Sequence, residues 1–598
     1  MDKVREIKGI PTYEPDNPRF ITKVENWDGK EVEVIYRKGN GGLSKERLDY
    51  VSEHGGAPPF GYLPDLDPHT YEAVPGIICE RDVAVKMRDG ITIYADIFRP
   101  ITTEKVPCIV SWGPFGKNYS EGMKEFKLMG VPPGTVTDMA KFESADPGYW
   151  CRQGYAVANV DPRGVANSEG YVSDWGVQDG YDGYDFIEWA GVQAWCNGKV
   201  SMFGNSGVCM VIWRIASMQP PHLACIAGWE GTGDMYRESF TLGGIVAPFF
   251  NNQMLDAVPC KSYMEDGPNM LAAHPFYDEY WQLRTPKWEK IKCPAYICTG
   301  MCHIHNRGSV EAFRRIRSPK KWLRAHRDME WPDTYNPDHL DDLKRFFDRY
   351  LKDVHNGWEF TPKVRLDIMD AYDCDFRVKR PEKEFPLART EYRMIYLDAA
   401  SHGASYTPYE THSEVVYDPY TETTTFDIQF TEETEISGFI KLHLYVECRG
   451  HDNMDLFPWV KKLDQNGEYL PVYVMGEDYR GAWGYMRTKR RELDPNLSSD
   501  FQPVQAHQKD EPMEPGQIYA VDIEFYPHCR MWHKGEYLRL EVQGRFIQTE
   551  WFEDHSMKFE YDNGEGKHVI HTGGEYASYL QIPFIPPKHK SGDYEYRG

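Results

Sequence analysis

Ser206, in the run Gly-Asn-Ser-Gly, is the residue of this chain best placed to act as a nucleophile. A short β-type run precedes it, and a helix-like run, 208–217, follows it. A serine on a tight strand-to-helix turn presents its hydroxyl at the helix N-terminus, where backbone N–H groups such as that of Gly207 hold an oxyanion. Val208 replaces the last glycine of the full G-x-S-x-G pattern. Because such a run by itself is typical of an ordinary loop, the surrounding elements must support the interpretation.

A serine hydroxyl needs a base within hydrogen-bond reach, and histidine is the usual one. His326 directly follows the strand-like run 321–325, so we predict that it is the base. His303 and His305 follow the preceding strand-like run, 295–300, and are the rival bases. A histidine at such a place can also simply hydrogen-bond within its loop.

The base in turn needs a group that orients its ring. Glu230 follows the strand-like run 223–228. The chain order Ser206, Glu230, His326 is the order of nucleophile, acid and base in hydrolases whose nucleophile lies on a strand-to-helix turn. We therefore predict Glu230 as the acid, with Asp234 as a weaker rival. The alternative for Glu230 is a structural role, in a helix cap or in an ion pair.

The pair His303 and His305, with Cys302 beside it, places two imidazoles on one face of an extended segment, as a metal site would. The spacing indicates no third ligand. We expect these histidines to line a substrate pocket instead, together with Trp229, and we expect no metal and no cofactor.

The elements that must position these residues alternate in type. Short apolar runs alternate with helical stretches, which predicts a parallel sheet covered on both faces, with ligands bound beyond the carboxyl ends of its strands. The stretch 235–290 is irregular and rich in aromatic residues, which suits either an apolar substrate wall or a core of its own. Beyond about residue 359, polar and apolar residues alternate, which predicts a β-sandwich or jelly roll.

Composition narrows the possible functions. A chain of 598 residues is expected to form two or three domains, and its formal net charge of −24 disfavours nucleic acid as a partner. It has no apolar stretch long enough to span a bilayer and no apolar signal segment at its start, and its 13 cysteines are spread singly. We expect a cytoplasmic protein that acts on a small molecule, without a membrane.

Further motifs around the serine carry a family resemblance. Asp161-Pro162-Arg163-Gly164, Ser168-Glu169-Gly170 and the run 195–200 lead into the elbow, and Asp455-Leu456-Phe457 and Pro515-Gly516 lie farther on. In order and spacing these motifs resemble the cocaine esterase and X-prolyl dipeptidyl-peptidase family of serine hydrolases. The resemblance implies an α/β-hydrolase domain (76–234 and 291–358) with an inserted helical cap (235–290), preceded by an extension (1–75) and followed by a C-terminal jelly roll (359–598). It also implies ester or amide hydrolysis through an acyl-serine, and a homodimer.

Two positions depart from the family pattern. The family places an aspartate soon after the strand that is here 295–300, whereas 301–308 contain no carboxylate, and it often has a tyrosine where this chain has Phe115. A phenyl ring cannot donate to an oxyanion, so a backbone N–H near Phe115, or the Lys117 side chain, would have to replace it. The departures leave two alternatives to hydrolysis: a related acyltransferase or C–C bond-cleaving enzyme, and an inactive binding protein.

Overall fold

A computed structural model describes residues 1–41, 63–117, 130–474, 477–479, 481–547 and 558–587 of the chain. Its central sheet is mixed, with seven parallel strands in the middle. The order across the sheet is β3-β4-β5-β7-β6-β8-β9-β13-β14-β15-β16, and β7, β6, β8, β9, β13, β14 and β15 run parallel. The strands are β3 His69–Val74, β4 Ile77–Lys86, β5 Thr92–Pro100, β6 Val106–Trp112, β7 Ala156–Asp161, β8 Cys196–Asn205, β9 Leu223–Trp229, β13 Ala295–Gly300, β14 Lys321–His326, β15 Val364–Met369 and β16 Asp375–Glu382.

Helices cover both faces of this sheet, as the alternation in the sequence predicts. β6 and β7 are buried along their whole length, which is typical of strands covered on both sides. One core packs α2 and α3 against the sheet, and a second packs the apolar side of α9 against the opposite face. The helices are α1 Pro147–Trp150, α2 Val177–Gly191, α3 Ser206–Ser217, α4 Phe249–Ala257, α5 Gly267–Ala273, α6 Glu279–Arg284, α7 Asn306–Arg315, α8 Glu330–Thr334 and α9 Pro337–Leu351.

The segment predicted as a cap is largely helical and shares its core with the N-terminal extension. It contains α4, α5 and α6, the hairpin of β10 (Thr241–Leu242) and β11 (Ile245–Val246), and β12 (Tyr263–Glu265). The extension forms the antiparallel pair β1 (Phe20–Trp27) and β2 (Lys30–Lys38), and β12 adds to its edge. Tyr280 and Trp281 are buried in the common core, so these cap aromatics pack internally.

The C-terminal part is antiparallel β structure with its own core. β22 pairs with β28, β31 and β32, and β30 pairs with β20 and β23. The jelly-roll topology itself stays a prediction. The strands are β17 Glu391–Asp398, β18 Gly403–Ser405, β19 Ser413–Tyr417, β20 Thr424–Gln429, β21 Thr434–Gly438, β22 Lys441–Arg449, β23 Asp455–Leu463, β24 Val472–Val474, β25 Glu477–Tyr479, β26 Ala482–Trp483, β27 Met486–Arg487, β28 Ile518–Glu524, β29 His528–Trp532, β30 Tyr537–Gln543, β31 Lys567–Thr572 and β32 Tyr579–Phe584.

The central sheet continues past the boundary predicted at residue 358. β15 pairs parallel with β14, and β16 pairs antiparallel with β15, so both belong to the central sheet. The β-type sequence that begins near residue 359 therefore first forms β15 and β16 at the edge of the central sheet, and only then the strands of the C-terminal domain. No helix in the described part of the chain is long and apolar enough to cross a membrane.

Candidate active site

Ser206 lies on a strand-to-helix turn, as its sequence context predicts. It is the first residue of α3, directly after β8, and its φ of 46° is the left-handed backbone conformation expected of a nucleophile elbow. Val208 is accommodated because two glycines flank its side chain: a Cβ on Gly113 or Gly204 would lie 2.6 or 2.2 Å from a Val208 methyl carbon. Gly113 and Gly204 therefore leave the space that the Val208 side chain needs in place of the motif's last glycine.

The imidazole beside Ser206 is that of His305. Its Nε2 lies 3.2 Å from Ser206 Oγ, and its Nδ1 lies 2.7 Å from Thr232 Oγ1. When Nδ1–H donates a hydrogen bond to Thr232 Oγ1, Nε2 carries no proton and can accept the proton of the serine hydroxyl. Burial lowers the pKa of His305 to about 3, so its ring is neutral at physiological pH.

The structure places His326 differently from the prediction. Its Nε2 lies 3.1 Å from Glu230 Oε1 and 3.5 Å from Asp333 Oδ2. Burial disfavours the charged ring, but the Asp333 and Glu230 carboxylates outweigh it and raise the pKa of His326. The structure therefore brings the predicted acid and base together but puts His305 at the nucleophile, because the loop after β13 brings that ring to the elbow.

Glu230 joins two histidines. Besides approaching His326, its Oε2 lies 3.2 Å from Nδ1 of His303, and its Oε1 accepts the Gly300 N–H at 2.7 Å. Glu230 itself has a φ of 55°, so the backbone just after β9 is also in the left-handed region. Asp234, the rival acid, instead pairs with Arg237 at 2.7 Å.

The Gly207 N–H, the predicted oxyanion donor, donates to the carboxyl of Glu143 at 3.0 Å. Glu143 also receives the Trp331 Nε1–H at 3.3 Å and is 2% exposed. Burial raises its pKa to about 8, although hydrogen bonds from Trp331, Gly207 and Ser206 oppose the shift. A carboxyl that is largely uncharged near neutral pH thus sits where an oxyanion would form.

Phe115, Lys117 and Trp229, which the sequence places near the oxyanion or the substrate, are all buried. Phe115 is buried, and its ring packs so closely over Gly207 that a Cβ there would lie 2.9 Å from the ring. Lys117 pairs with Asp82 and Asp96, which removes it as a replacement donor. Trp229 is fully buried and donates its Nε1–H to Asp333, so it presents no surface to a substrate.

One ligand atom from each of His303, His305 and Glu330 lies within 4.8 Å of the others. Glu330 begins α8 and is 1% exposed. Burial, followed by the neighbouring Glu143 and Glu230 carboxylates, raises its pKa well above the usual range. Among the residues that the structure describes, these three are the side chains at the elbow that could hold a metal ion.

Sequence reasoning missed Glu143, Thr232 and Glu330. Thr232 and Glu330 lie two and four residues beyond the predicted Glu230 and His326, so the rule that residues after strand ends form the site could have included them. Glu143 has no such signal, because it lies in the irregular stretch 130–146, before α1, and does not directly follow a strand.

Comparison with protein families agrees with this fold. Residues 89–267 match the family model for X-Pro dipeptidyl-peptidase (S15 family). Residues 356–581 match the model for the X-Pro dipeptidyl-peptidase C-terminal non-catalytic domain. The first match contains the elbow, and the second covers most of the C-terminal β domain.

Individual proteins resemble the chain over most of its length. Cocaine esterase from Rhodococcus sp. (strain MB1 Bresler) is 30% identical over 620 aligned positions, which cover 84% of this chain and 98% of that protein. The crystal structure of a CocE/NonD family hydrolase from Staphylococcus aureus superposes with a TM-score of 0.81 at 33% identity, covering 85% and 94% of the two chains. An α-amino acid ester hydrolase shares the fold, with a TM-score of 0.62 at 16% identity.

Proposed function

Because this chain belongs to the cocaine esterase and X-Pro dipeptidyl-peptidase family, whose members are serine hydrolases of ester or amide bonds, we propose that it forms an acyl-enzyme on Ser206 with His305 as the base. The observation that carries the proposal is the 3.2 Å separation of Ser206 Oγ and His305 Nε2 at a left-handed elbow residue. A nucleophile and a base within hydrogen-bond reach are the minimum that acyl transfer to serine requires.

The reaction follows from this geometry. As Ser206 Oγ attacks the carbonyl carbon, its proton passes to His305 Nε2, and the negative charge on the carbonyl oxygen is stabilised by the Gly207 N–H once the Glu143 carboxyl has moved off it. His305 then gives the proton to the leaving alcohol or amine. Water, deprotonated by the same nitrogen, hydrolyses the acyl-serine and restores the serine hydroxyl.

Thr232 takes the position at His305 that a carboxylate occupies in a Ser-His-Asp triad. Its hydroxyl oxygen accepts a hydrogen bond from Nδ1–H, which selects the tautomer with an unprotonated Nε2. The hydroxyl carries no charge, however, to stabilise an imidazolium. A triad without its orienting aspartate loses up to about 10⁴-fold in turnover. We therefore expect slow turnover, and substrates with good leaving groups.

The surroundings of the elbow favour a small apolar or partly aromatic substrate. Phe115, Phe142 and Val208 form one buried cluster, against which the partly buried Met254 and Trp331 pack. Met254 and Trp331, which keep some exposed surface, are therefore the apolar side chains of this group that can contact the uncharged part of a substrate.

The experiment measures hydrolysis of p-nitrophenyl esters and labelling by a fluorophosphonate probe in the wild type and in Ser206→Ala, His305→Gln and His326→Gln. We expect no labelling of Ser206→Ala and a loss of roughly a hundredfold or more in kcat/KM for His305→Gln, since general-base catalysis contributes that much. His326→Gln is the matched control, because among the described residues its ring contacts Glu230 and Asp333 and forms no hydrogen bond with Ser206, and it should lose less.

Two results would overturn the proposal. An unlabelled Ser206 in folded wild-type protein would rule out an activated serine. A His326→Gln variant that loses turnover while His305→Gln keeps it would return the role of base to His326. Incorporation of ¹⁸O from labelled water into the released acid distinguishes hydrolysis from acyl transfer.

A further inference from the structure

Two histidines and a glutamate converge at the elbow from different parts of the chain. His303 and His305 lie in the loop after β13, and Glu330 lies at the start of α8. His303 Nε2 is 3.8 Å from Glu330 Oε1, and all three side chains are at least nine-tenths buried. The 3.8 Å between His303 Nε2 and Glu330 Oε1 is within the roughly 4.4 Å that two ligand atoms can span when each lies about 2.0–2.2 Å from one ion.

An oxygen atom lies near the outer nitrogen of each imidazole. Thr232 Oγ1 lies 2.7 Å from His305 Nδ1, and Glu230 Oε2 lies 3.2 Å from His303 Nδ1, which also accepts the backbone N–H of His305 at 3.3 Å. Metal-binding histidines almost always have such a partner on the second nitrogen, because it fixes the tautomer and points the other lone pair at the metal. At His305, Thr232 leaves the Nε2 lone pair available, and at His303 the Nε2 atom lies 3.8 Å from Glu330 Oε1. Metal binding through His303 Nε2 requires the ring proton to be on Nδ1, beside Glu230 Oε2.

Three buried carboxyl groups lie around these histidines without a lysine or arginine partner among the described residues. Glu143, Glu230 and Glu330 are each no more than 2% exposed, and within the described part of the chain none of them forms an ion pair with a lysine or arginine. Glu330 Oε2 and both polar side-chain atoms of Asn205 are buried without a hydrogen bond of standard geometry among the described residues, although the Asn205 side chain lies near enough to Glu330 to oppose the rise in its pKa. Buried carboxyl groups of this kind are stabilised by a proton or by a bound cation.

We propose that His303, His305 and Glu330 bind one divalent transition-metal ion, with Zn²⁺ the best match, directly beside Ser206. Two imidazole nitrogens and one carboxylate oxygen suit Zn²⁺ and not Mg²⁺ or Ca²⁺, which prefer oxygen ligands. Three protein ligands leave a coordination position for water or for Ser206 Oγ.

The proposed site has a consequence that rests on the proposed function. His305 Nε2 cannot bind a metal ion and accept the Ser206 proton at the same time, since both use one lone pair. Ester hydrolysis by the metal-free protein should therefore fall when Zn²⁺ is added, and EDTA should restore it.

Metal binding is tested without any turnover. Full-length protein is treated with EDTA, desalted and titrated with Co²⁺, whose visible absorption reports nitrogen and oxygen ligation. We expect one equivalent to bind, Zn²⁺ to displace it, and His303→Ala and Glu330→Gln to abolish the signal. Glu230→Gln should raise the Kd for Co²⁺ roughly 10- to 100-fold, because it removes only the partner of a ligand.

The matched control is His571→Gln. It alters the other group of potential metal ligands among the described residues, Glu414, Glu447 and His571 in the C-terminal β domain, and should leave the Co²⁺ signal intact. Circular dichroism checks that each variant is folded, and a Zn²⁺-dependent rise in the melting temperature of the wild type provides a second readout.

The metal site is overturned if wild-type protein gives no Co²⁺ spectrum, or if the spectrum survives in folded His303→Ala and Glu330→Gln. Failure of the two proposals can be told apart. A protein that hydrolyses esters but binds no Co²⁺ leaves the serine mechanism standing, and one that binds Co²⁺ without labelling at Ser206 leaves only the metal site.

Discussion

At Gly207 the backbone N–H that the elbow offers to an oxyanion already has an acceptor, the Glu143 carboxyl. Since an oxyanion has to displace this carboxyl, Glu143→Ala should free the donor and raise kcat/KM for activated esters roughly tenfold or more. The measurement is steady-state kinetics with p-nitrophenyl esters. A loss of turnover in folded Glu143→Ala would show instead that Glu143 assists the reaction.

The same residue predicts a pH dependence. The raised pKa of Glu143, about 8, means that the carboxyl is neutral below pH 8 and becomes a carboxylate above it. A carboxylate holds the Gly207 N–H more strongly and repels a developing oxyanion, so kcat/KM of the wild type should fall as the pH rises through about 8. Glu143→Gln keeps an oxygen acceptor but cannot ionise, and its profile should stay flat there. An identical fall in both proteins would assign the titration to another group.

At the scale of elements, the elbow depends on the fit of α3 against the end of β6. A Cβ added at Gly113 would lie 2.6 Å from a Val208 methyl carbon, within a buried cluster. Gly113→Ala should therefore destabilise the fold by roughly 1–3 kcal/mol through overpacking.

A double-mutant cycle tests this fit. In the Val208→Ala background the methyl groups are absent, so adding Gly113→Ala should cost much less than it does in the wild type. The measurement is the melting temperature of the four proteins followed by intrinsic fluorescence. Equal losses in both backgrounds would mean that Gly113 is required for its backbone conformation and not for the space it leaves.

At the scale of the whole molecule, several buried carboxyl groups hold protons near neutral pH. The pKa is raised to about 8 for Glu143 and to about 7 for Asp174, Asp179 and Glu238, in each case chiefly by burial. These groups are ionised in the unfolded chain above about pH 4. Between that pH and the raised pKa values, the folded state thus binds more protons, and stability falls as the pH rises.

Buried histidines such as His305 act in the opposite direction, but only below about pH 6.5, because above it they are neutral in both states. We therefore expect the melting temperature to fall between about pH 6.5 and 8. Asp174→Asn should flatten this fall, since one such group contributes up to about 1.4 kcal/mol per pH unit.

Asp418→Asn is the control for this experiment. A hydrogen bond from Lys567 lowers the pKa of Asp418 to about 2, so the group is ionised in both states throughout the range. Its replacement should leave the pH dependence unchanged. A melting temperature that rises from pH 6.5 to 8 would contradict the assignment of neutral buried carboxyls.

The sequence by itself determined the elbow, the parallel sheet with its covering helices, the β-rich C-terminal part and the family. These depend on local periodicity, on turn residues and on motifs that are contiguous in the chain. The left-handed Ser206 at the start of a helix follows from the residues on either side of it. The pairing of Glu230 with His326 was also within reach, because residues after neighbouring parallel strands meet at one edge of a sheet.

Only the tertiary structure decided which imidazole reaches Ser206 and which carboxyls surround it. Strand order brings His303, His305 and His326 to the same edge, but the distance of each ring from the serine depends on how the loops after β13 and β14 fold back. That path is set by non-local contacts: His305 with Thr232, His326 with Glu230 and Asp333, and Glu143 with the Gly207 N–H. Since these partners are separated by 7 to 96 residues of chain, no local pattern records them.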